Sequence, residues 1–414
     1  MNRILIILLL FLAPICWLWQ WQDSRGRFEI DFYQVWAVDR MLPGIGWRNL
    51  YSPETRELIS REMQNRAAAG ADPGLQRIVK QQPMVYNFAS PFLYLFMKPF
   101  AVNNYGAAVQ MYRVFSLACM ALALALFARR LRMSLRGYLM SLIVFTFLFE
   151  PARADLWVGN INQIQLAGLG LFCWFQRRTS IAPLHFVGAL ILGLTILLKP
   201  VPVFVAPLWL GWLFSRRQTR QLVINLLGLT GAVIVAMGLS AWFIGNGVCW
   251  RDWLVALARL MYEVSPPSLG NYALANLLQA GLHIHAWIIL FFVFFTPILI
   301  AVWRSRCTTE IEADGATAAI LISGLGCLVY MLSQPLVWAH YYTLCIPALL
   351  AAFRPPLVYA KNGGDRPQGR VYLGALTLIL FGVALLLQVS NPFLISGAYC
   401  LAAMMVYSVS IRDL

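Results

Sequence analysis

Two carboxylates, Glu29 and Asp31, stand among aromatics in FEIDFYQVW, directly after the first apolar run of this 414-residue chain. A carboxylate beside a membrane surface can take a proton from a hydroxyl nucleophile as it attacks. It can also be a solvated charge or a helix cap. Lys199 is set between the apolar stretch GALILGLTILL and Pro200-Val-Pro202. An ammonium there either snorkels from a span end or faces an anionic headgroup or phosphate. In FEPARADLWVGNINQIQL, Glu150, Arg153 and Asp155 precede Gly159-Asn160-Ile161-Asn162-Gln163. Amides running into an apolar helix need partners, either as structural glue or as substrate contacts. VWAHYY adds Trp338, His340, Tyr341 and Tyr342, and NYALANLLQ adds Asn271 and Asn276. With no Ser-His-Asp triad, P-loop or glycine-rich nucleotide motif in the chain, the external acids are the leading candidates for a general base.

These groups must be positioned by membrane helices. Hydrophobic residues make up 60% of the chain and charged residues 12%, against about 25% charged in an ordinary globular protein. Apolar runs of bilayer length recur from end to end. The net charge of +15 is distributed in short loops, where it orients a membrane protein, and is not gathered on a face that would hold nucleic acid. The eight cysteines contain no C-x-x-C pair, and only Cys249 is placed in a long external loop, so neither a disulfide framework nor a metal site is expected. His283 and His285 read as interfacial. No internal repeat is found.

The first run ends in Trp17, Trp19 and Trp21, which suit an aromatic belt better than a signal-peptide cleavage site. Basic clusters at 129–132, 177–178, 216–217, 304–306 and 354–370 are assigned to the cytoplasmic side. This predicts twelve spans, near 4–21, 105–127, 137–150, 161–176, 183–198, 201–215, 221–244, 286–303, 316–333, 341–353, 371–389 and 392–410, with both termini inside. The assignment puts 17 basic and 5 acidic residues inside and 15 and 12 outside, a net +12 against +3, as the positive-inside rule expects. Residues 22–104 then form a long first external loop. It holds a helix after Ser52-Pro53 and a proline-broken segment, 87–100, that lies in the interface or re-enters. Residues 151–160 are read as a short external turn.

In chain order, IDFYQVW, GIGWRNLYSPET, YNFASPFLYLFMKPF, GNINQIQLAGLG, LLKPVPVF, NYALANLL and QPLVWAHYYTLCIPAL resemble glycosyltransferase family 87, in the GT-C class of polytopic enzymes. The resemblance implies an all-α polytopic membrane protein, a GT-C-like bundle of about 12 transmembrane helices forming a single domain over 1–414. It implies an inverting transfer of a sugar, typically mannose, from a polyprenyl-phosphate donor to a glycan or glycolipid acceptor outside the membrane. No cofactor, metal or nucleic acid is called for; the partners are donor, acceptor and membrane lipids.

By the same resemblance Asp31 corresponds to the catalytic base, and Lys199, Trp338 and His340 to motif residues; the chemistry of a phosphate leaving group makes Lys199, His340 and Arg153 the groups expected to hold it. Asn160, Asn162, Gln163, Trp338 and Asn276 correspond to substrate contacts, Arg251 and Arg259 are weaker candidates, and Glu29 is accessory. Two elements depart from the family pattern: the first amide of the glycine-glutamine-asparagine element is Asn160, and the Tyr-Pro-Pro element is Phe-Ala-Ser-Pro, which keeps only Pro91. A multi-pass bacterial inner-membrane protein with an outward-facing site is the expected setting. The alternatives from other classes are a transporter or flippase of an anionic lipid or solute, and a non-catalytic assembly protein.

Overall fold

A computed structural model describes residues 2–25, 27, 29–45, 49–70, 72–176, 181–262, 272–274, 278, 288, 292–296, 315–334, 336–352, 376–381 and 392–413. Asn271, Asn276, His283, His285, the clusters at 177–178, 304–306 and 354–370, and most of the predicted spans 286–303 and 371–389 lie outside them. The described residues are helical, with no strand.

Three described helices are long and apolar enough to cross a bilayer: α1 (Asn2–Ser24), α6 (Tyr105–Arg130) and α12 (Thr219–Ile244). Shorter apolar helices include α10 (Ala182–Leu198), α11 (Val205–Ser215) and α14 (Gly315–Ser333). Their packing inverts the pattern of a water-soluble helix. On α12, Asn225, Gly228, Ala232, Ala236 and Ser240 form a buried stripe, while Leu226, Leu227, Ile234 and Trp242 face outward. Lipid is as apolar as leucine, so small residues mark the packed face, where backbones approach closely. A methyl group at Gly228 would lie 2.6 Å from the Phe186 carbonyl of α10. At the end of the bundle near Arg130, Gln176 links His185 (2.8 Å) to Asn225 (2.7 Å), and Trp209 also donates to Asn225 (3.1 Å). Four segments are thereby joined by hydrogen bonds where apolar packing alone gives little direction.

Between α1 and α6 lie four helices of the first long loop: α2 (Ile30–Ile45), α3 (Pro53–Ala68), α4 (Pro73–Gln81) and α5 (Pro91–Met97). Each of the last three starts on a proline preceded by a side-chain cap. Ser52 accepts from Thr55, Asp72 from Gly74 and Leu75, and Ser90 from Leu93. This is the arrangement the orphan N–H groups of a first turn favour. At seven residues, α5 is about 10 Å long, far short of the ~30 Å hydrocarbon core.

Glu29 is the pin of this region. Its carbonyl accepts the Tyr33 N–H (2.9 Å) at the start of α2. Its buried carboxylate pairs with the buried Arg113 of α6 and with Arg77 of α4 (3.3 Å). The residue is a structural anchor that joins three helices.

One predicted element changes. Residues 151–160, expected to be a turn, contain the helix α8 (Glu150–Val158). It follows α7 (Leu135–Ile143) and a π-turn at Val144–Leu148, with a bend of 60°. Pro151 starts α8 and Gly159 ends it, which are helix-boundary residues as much as turn residues. Then α9 (Asn162–Phe175) packs on α6 and α10. Cys249, expected in a loop, is buried at the start of α13 (Cys249–Tyr262).

Candidate active site

Gly159 determines how α2 meets the rest of the bundle. It ends α8 in the left-handed conformation (φ 71°), which glycine adopts without steric cost. A Cβ there would lie 2.6 Å from Cβ of Phe32. The bare backbone lets the first turn of α2 rest on residues 159–161, with Asp31 against Asn160.

Asn160 bridges a carboxylate and an ammonium. Its Nδ2 donates to Asp31 Oδ2 (2.5 Å), while its Oδ1 accepts from Lys199 Nζ (3.1 Å) and from the Ile161 N–H (2.8 Å). Those partners leave one orientation of the amide. The Tyr112 hydroxyl of α6 donates to the Asn160 carbonyl and fixes the backbone beneath it.

Lys199 is delivered by the proline break after α10. The last carbonyls of a helix have no partners within it, and Pro200 and Pro202 prevent its continuation. Side chains from two other helices take their place. Gln165 Nε2 of α9 donates to the carbonyls of Thr195 (3.0 Å) and Lys199 (2.7 Å). Ser90 Oγ donates to Leu197 (2.6 Å) and also lies 3.0 Å from the Leu198 carbonyl. The break is a built support, and it holds Nζ 3.9 Å from the centroid of the Tyr341 ring, in cation–π contact.

His340 enters from the far end of the chain, on a 3₁₀ turn at Ala339–Cys345 that packs against α8. Its Nε2 lies 3.6 Å from Asp31 Oδ2, too far for a hydrogen bond. That nitrogen is buried and has no hydrogen-bond partner among the described residues. Asp31 thus faces Asn160, His340 and the charge of Lys199, yet its side chain keeps 37% of its surface. Desolvation by the surrounding protein raises its pKa above the usual carboxylate value, with the Lys199 charge and the Asn160 hydrogen bond acting in the opposite direction. At the end of α10, burial lowers the pKa of the Lys199 ammonium to about 8, against the opposing pull of Asp31 and Asp155.

Other candidates are placed differently. Arg153 sits between the rings of Trp19 (4.8 Å) and Trp157 (5.0 Å) and pairs with Asp23 of α1 (3.2 Å). It belongs to an α1–α8 contact. Asn162 and Gln163, expected to touch substrate, are fully buried. Asn162 donates to Asp155 and to the His340 carbonyl, and Gln163 to Ala152. Trp338 precedes the 3₁₀ turn with 36% of its surface exposed. Arg251 is exposed and pairs with Asp252, and Arg259 is exposed as well. Asn276 lies outside the described residues.

Ser90, Tyr112, Asp155, Gln165 and Tyr341 support the group without having been singled out as site residues. The signals are faint: Ser90 lies in the altered Phe-Ala-Ser-Pro element, and Tyr341 is one of three aromatics in VWAHYY.

Residues 89–335, more than half of the chain, match the family model for glycosyltransferase family 87. The match includes Asn160 and Lys199; Asp31 and His340 lie outside it on either side. No curated protein and no solved structure matches the chain. The extent of the family match makes the chain a member of glycosyltransferase family 87, a membrane glycosyltransferase.

Proposed function

We propose that the protein moves a sugar, mannose, from a polyprenyl-phosphate donor to a hydroxyl of a glycan or glycolipid, with inversion and with Asp31 as general base. The observation that carries this reading is the meeting of Asp31, Asn160, Lys199 and His340, from four remote stretches, at one partly open carboxylate.

A sugar hydroxyl is a weak nucleophile. As its oxygen bonds to the anomeric carbon, its proton passes to Asp31. The bond from that carbon to the phosphate oxygen breaks, and the electron pair leaves with polyprenyl phosphate. The leaving group is already a stable anion, so a separate general acid is not obligatory. Lys199 and the unpartnered Nε2 of His340, in the tautomer that carries a proton there, stabilise its growing charge. Such stabilisation is strong where water is excluded. Asn160 keeps base and cation in register.

The charge balance between loops supports placing these residues on the external face, with both termini cytoplasmic. A bacterial inner membrane, with an outward-facing site and about 12 spans, is the setting this implies.

Membranes containing the protein, supplied in parallel with labelled polyprenyl-phosphate mannose and labelled nucleotide-linked mannose, test the donor. The expected result is label in a glycan or glycolipid from the lipid donor alone. Transfer from the nucleotide sugar, or lipid flux across the membrane without transfer, overturns the reading.

A further inference from the structure

Asp155 is a buried acid that the proposed reaction does not consume. It lies on α8, four residues before Gly159, with no surface exposed. Its carbonyl accepts the N–H groups of Gly159 and Asn160 (3.0 Å for Asn160) and closes α8. Its carboxylate accepts the Asn162 amide (2.8 Å) and the Gln163 N–H (3.1 Å). The second bond lies in the first turn of α9, where Ile161 offers no side-chain cap. One residue therefore holds both sides of the turn that presents Asn160.

The constraint extends further. The Asn162 Nδ2 that binds Asp155 also donates to the His340 carbonyl (3.1 Å). A plain turn does not need this residue, because a serine or asparagine caps a helix without placing an acid in the interior.

We infer that Asp155 is a positioning residue: it holds Asn160 against Asp31 and Lys199 and fixes the segment that carries His340. This inference rests on the reading of Asp31 as the base.

The groups that bear on Asp31 are Lys199 from the α10 end, His340 and Tyr341 from the 3₁₀ turn, Tyr112 from α6 and Asp155 from α8. Asn160 contributes the hydrogen bond that lowers the Asp31 pKa. If Asn160 swings away, the acid limb of the pH–rate profile moves to higher pH. A residue that only stabilises the fold leaves that limb where it was.

The test uses purified full-length protein in lipid nanodiscs, polyprenyl-phosphate mannose as donor and a total membrane glycolipid extract as acceptor. Asp155→Asn keeps the size and turns one acceptor into a donor. The expected result is a tenfold or greater fall in kcat, a donor KM within threefold of wild type and an acid limb displaced upward by release of Asn160, against the downward displacement that loss of the Asp155 charge alone gives. Asn160→Ala displaces the limb alike, and the double variant is no slower than the slower single one. If Asp155→Asn does not accumulate, Asn162→Ala cuts the link to His340 and is expected to reproduce the fall in kcat. Wild-type kcat and an unmoved limb in whichever variant folds, with only a lower thermal midpoint, overturn the inference. A wild-type protein that transfers nothing, or Asp31→Asn at full rate, instead overturns the reading on which it rests.

Discussion

Asp31→Asn lowers kcat by about 10²–10⁴-fold, the usual contribution of a positioned general base, and leaves donor KM nearly unchanged. The substitution preserves shape, and its carbonyl oxygen can still accept from Asn160. The loss therefore falls chiefly on proton removal, with a smaller part from the weaker hold on the Lys199 proton once the Asp31 charge is gone. The thermal midpoint is expected to stay at the wild-type value, since among the described residues Asp31 has no hydrogen-bonded ion pair to lose. The pH dependence carries the same signature. A base works when ionised, and the carboxyl here is raised above the ordinary 3.8 by its surroundings. The wild-type rate therefore falls as pH drops through that raised value, and the Asn variant lacks this limb. Single-turnover rates across pH, with lipid-linked donor in excess, measure both effects. Full activity of the variant at normal expression would remove Asp31 from the mechanism.

Lys199→Met is expected to have the next largest effect, about 10²–10³-fold in kcat/KM, the scale on which loss of one charge-stabilising donor is felt in a closed site. Both terms change: donor KM rises because the phosphate loses its cation, and kcat falls because that cation also stabilises the departing anion. Lys199→Arg does not restore the rate. Asn160 Oδ1 and the Tyr341 ring are spaced for one compact ammonium, whereas a guanidinium is a planar fork with a different reach. Steady-state kinetics over a range of donor concentrations separate the two terms. Unchanged kcat and KM would return Lys199 to the role of an interfacial lysine at a helix end.

Part of this site was legible in the sequence because membranes make charges conspicuous. Lys199 between an apolar run and two prolines, and Asp31 after the first apolar run, stand out since each placement has an energetic cost. The separation of Glu29 from Asp31 also follows from helix geometry, which turns residues two apart by about 200°. Glu29 joins Arg113 and Asp31 joins Asn160. The three amides after Gly159 were less readable. All are polar residues in an apolar setting, and only the tertiary neighbours decide which hydrogen bonds are already taken. Asn162 and Gln163 hold the scaffold, while Asn160 faces the carboxylate. Arg153 shows the same limit, since Asp23, Trp19 and Trp157 are contacts that no local spacing reveals. The helix α8 was read as a turn because Pro151 and Gly159 punctuate turns and helix ends alike.

The central claim is a single displacement in which Asp31 removes a proton and forms no bond to the sugar. The anomeric configuration of the product tests it most directly. Purified protein is given polyprenyl-phosphate mannose of known configuration, and the new linkage is assigned by NMR. The account predicts the opposite configuration in the product. A retained configuration would contradict it, because retention requires a covalent intermediate or an equivalent second displacement.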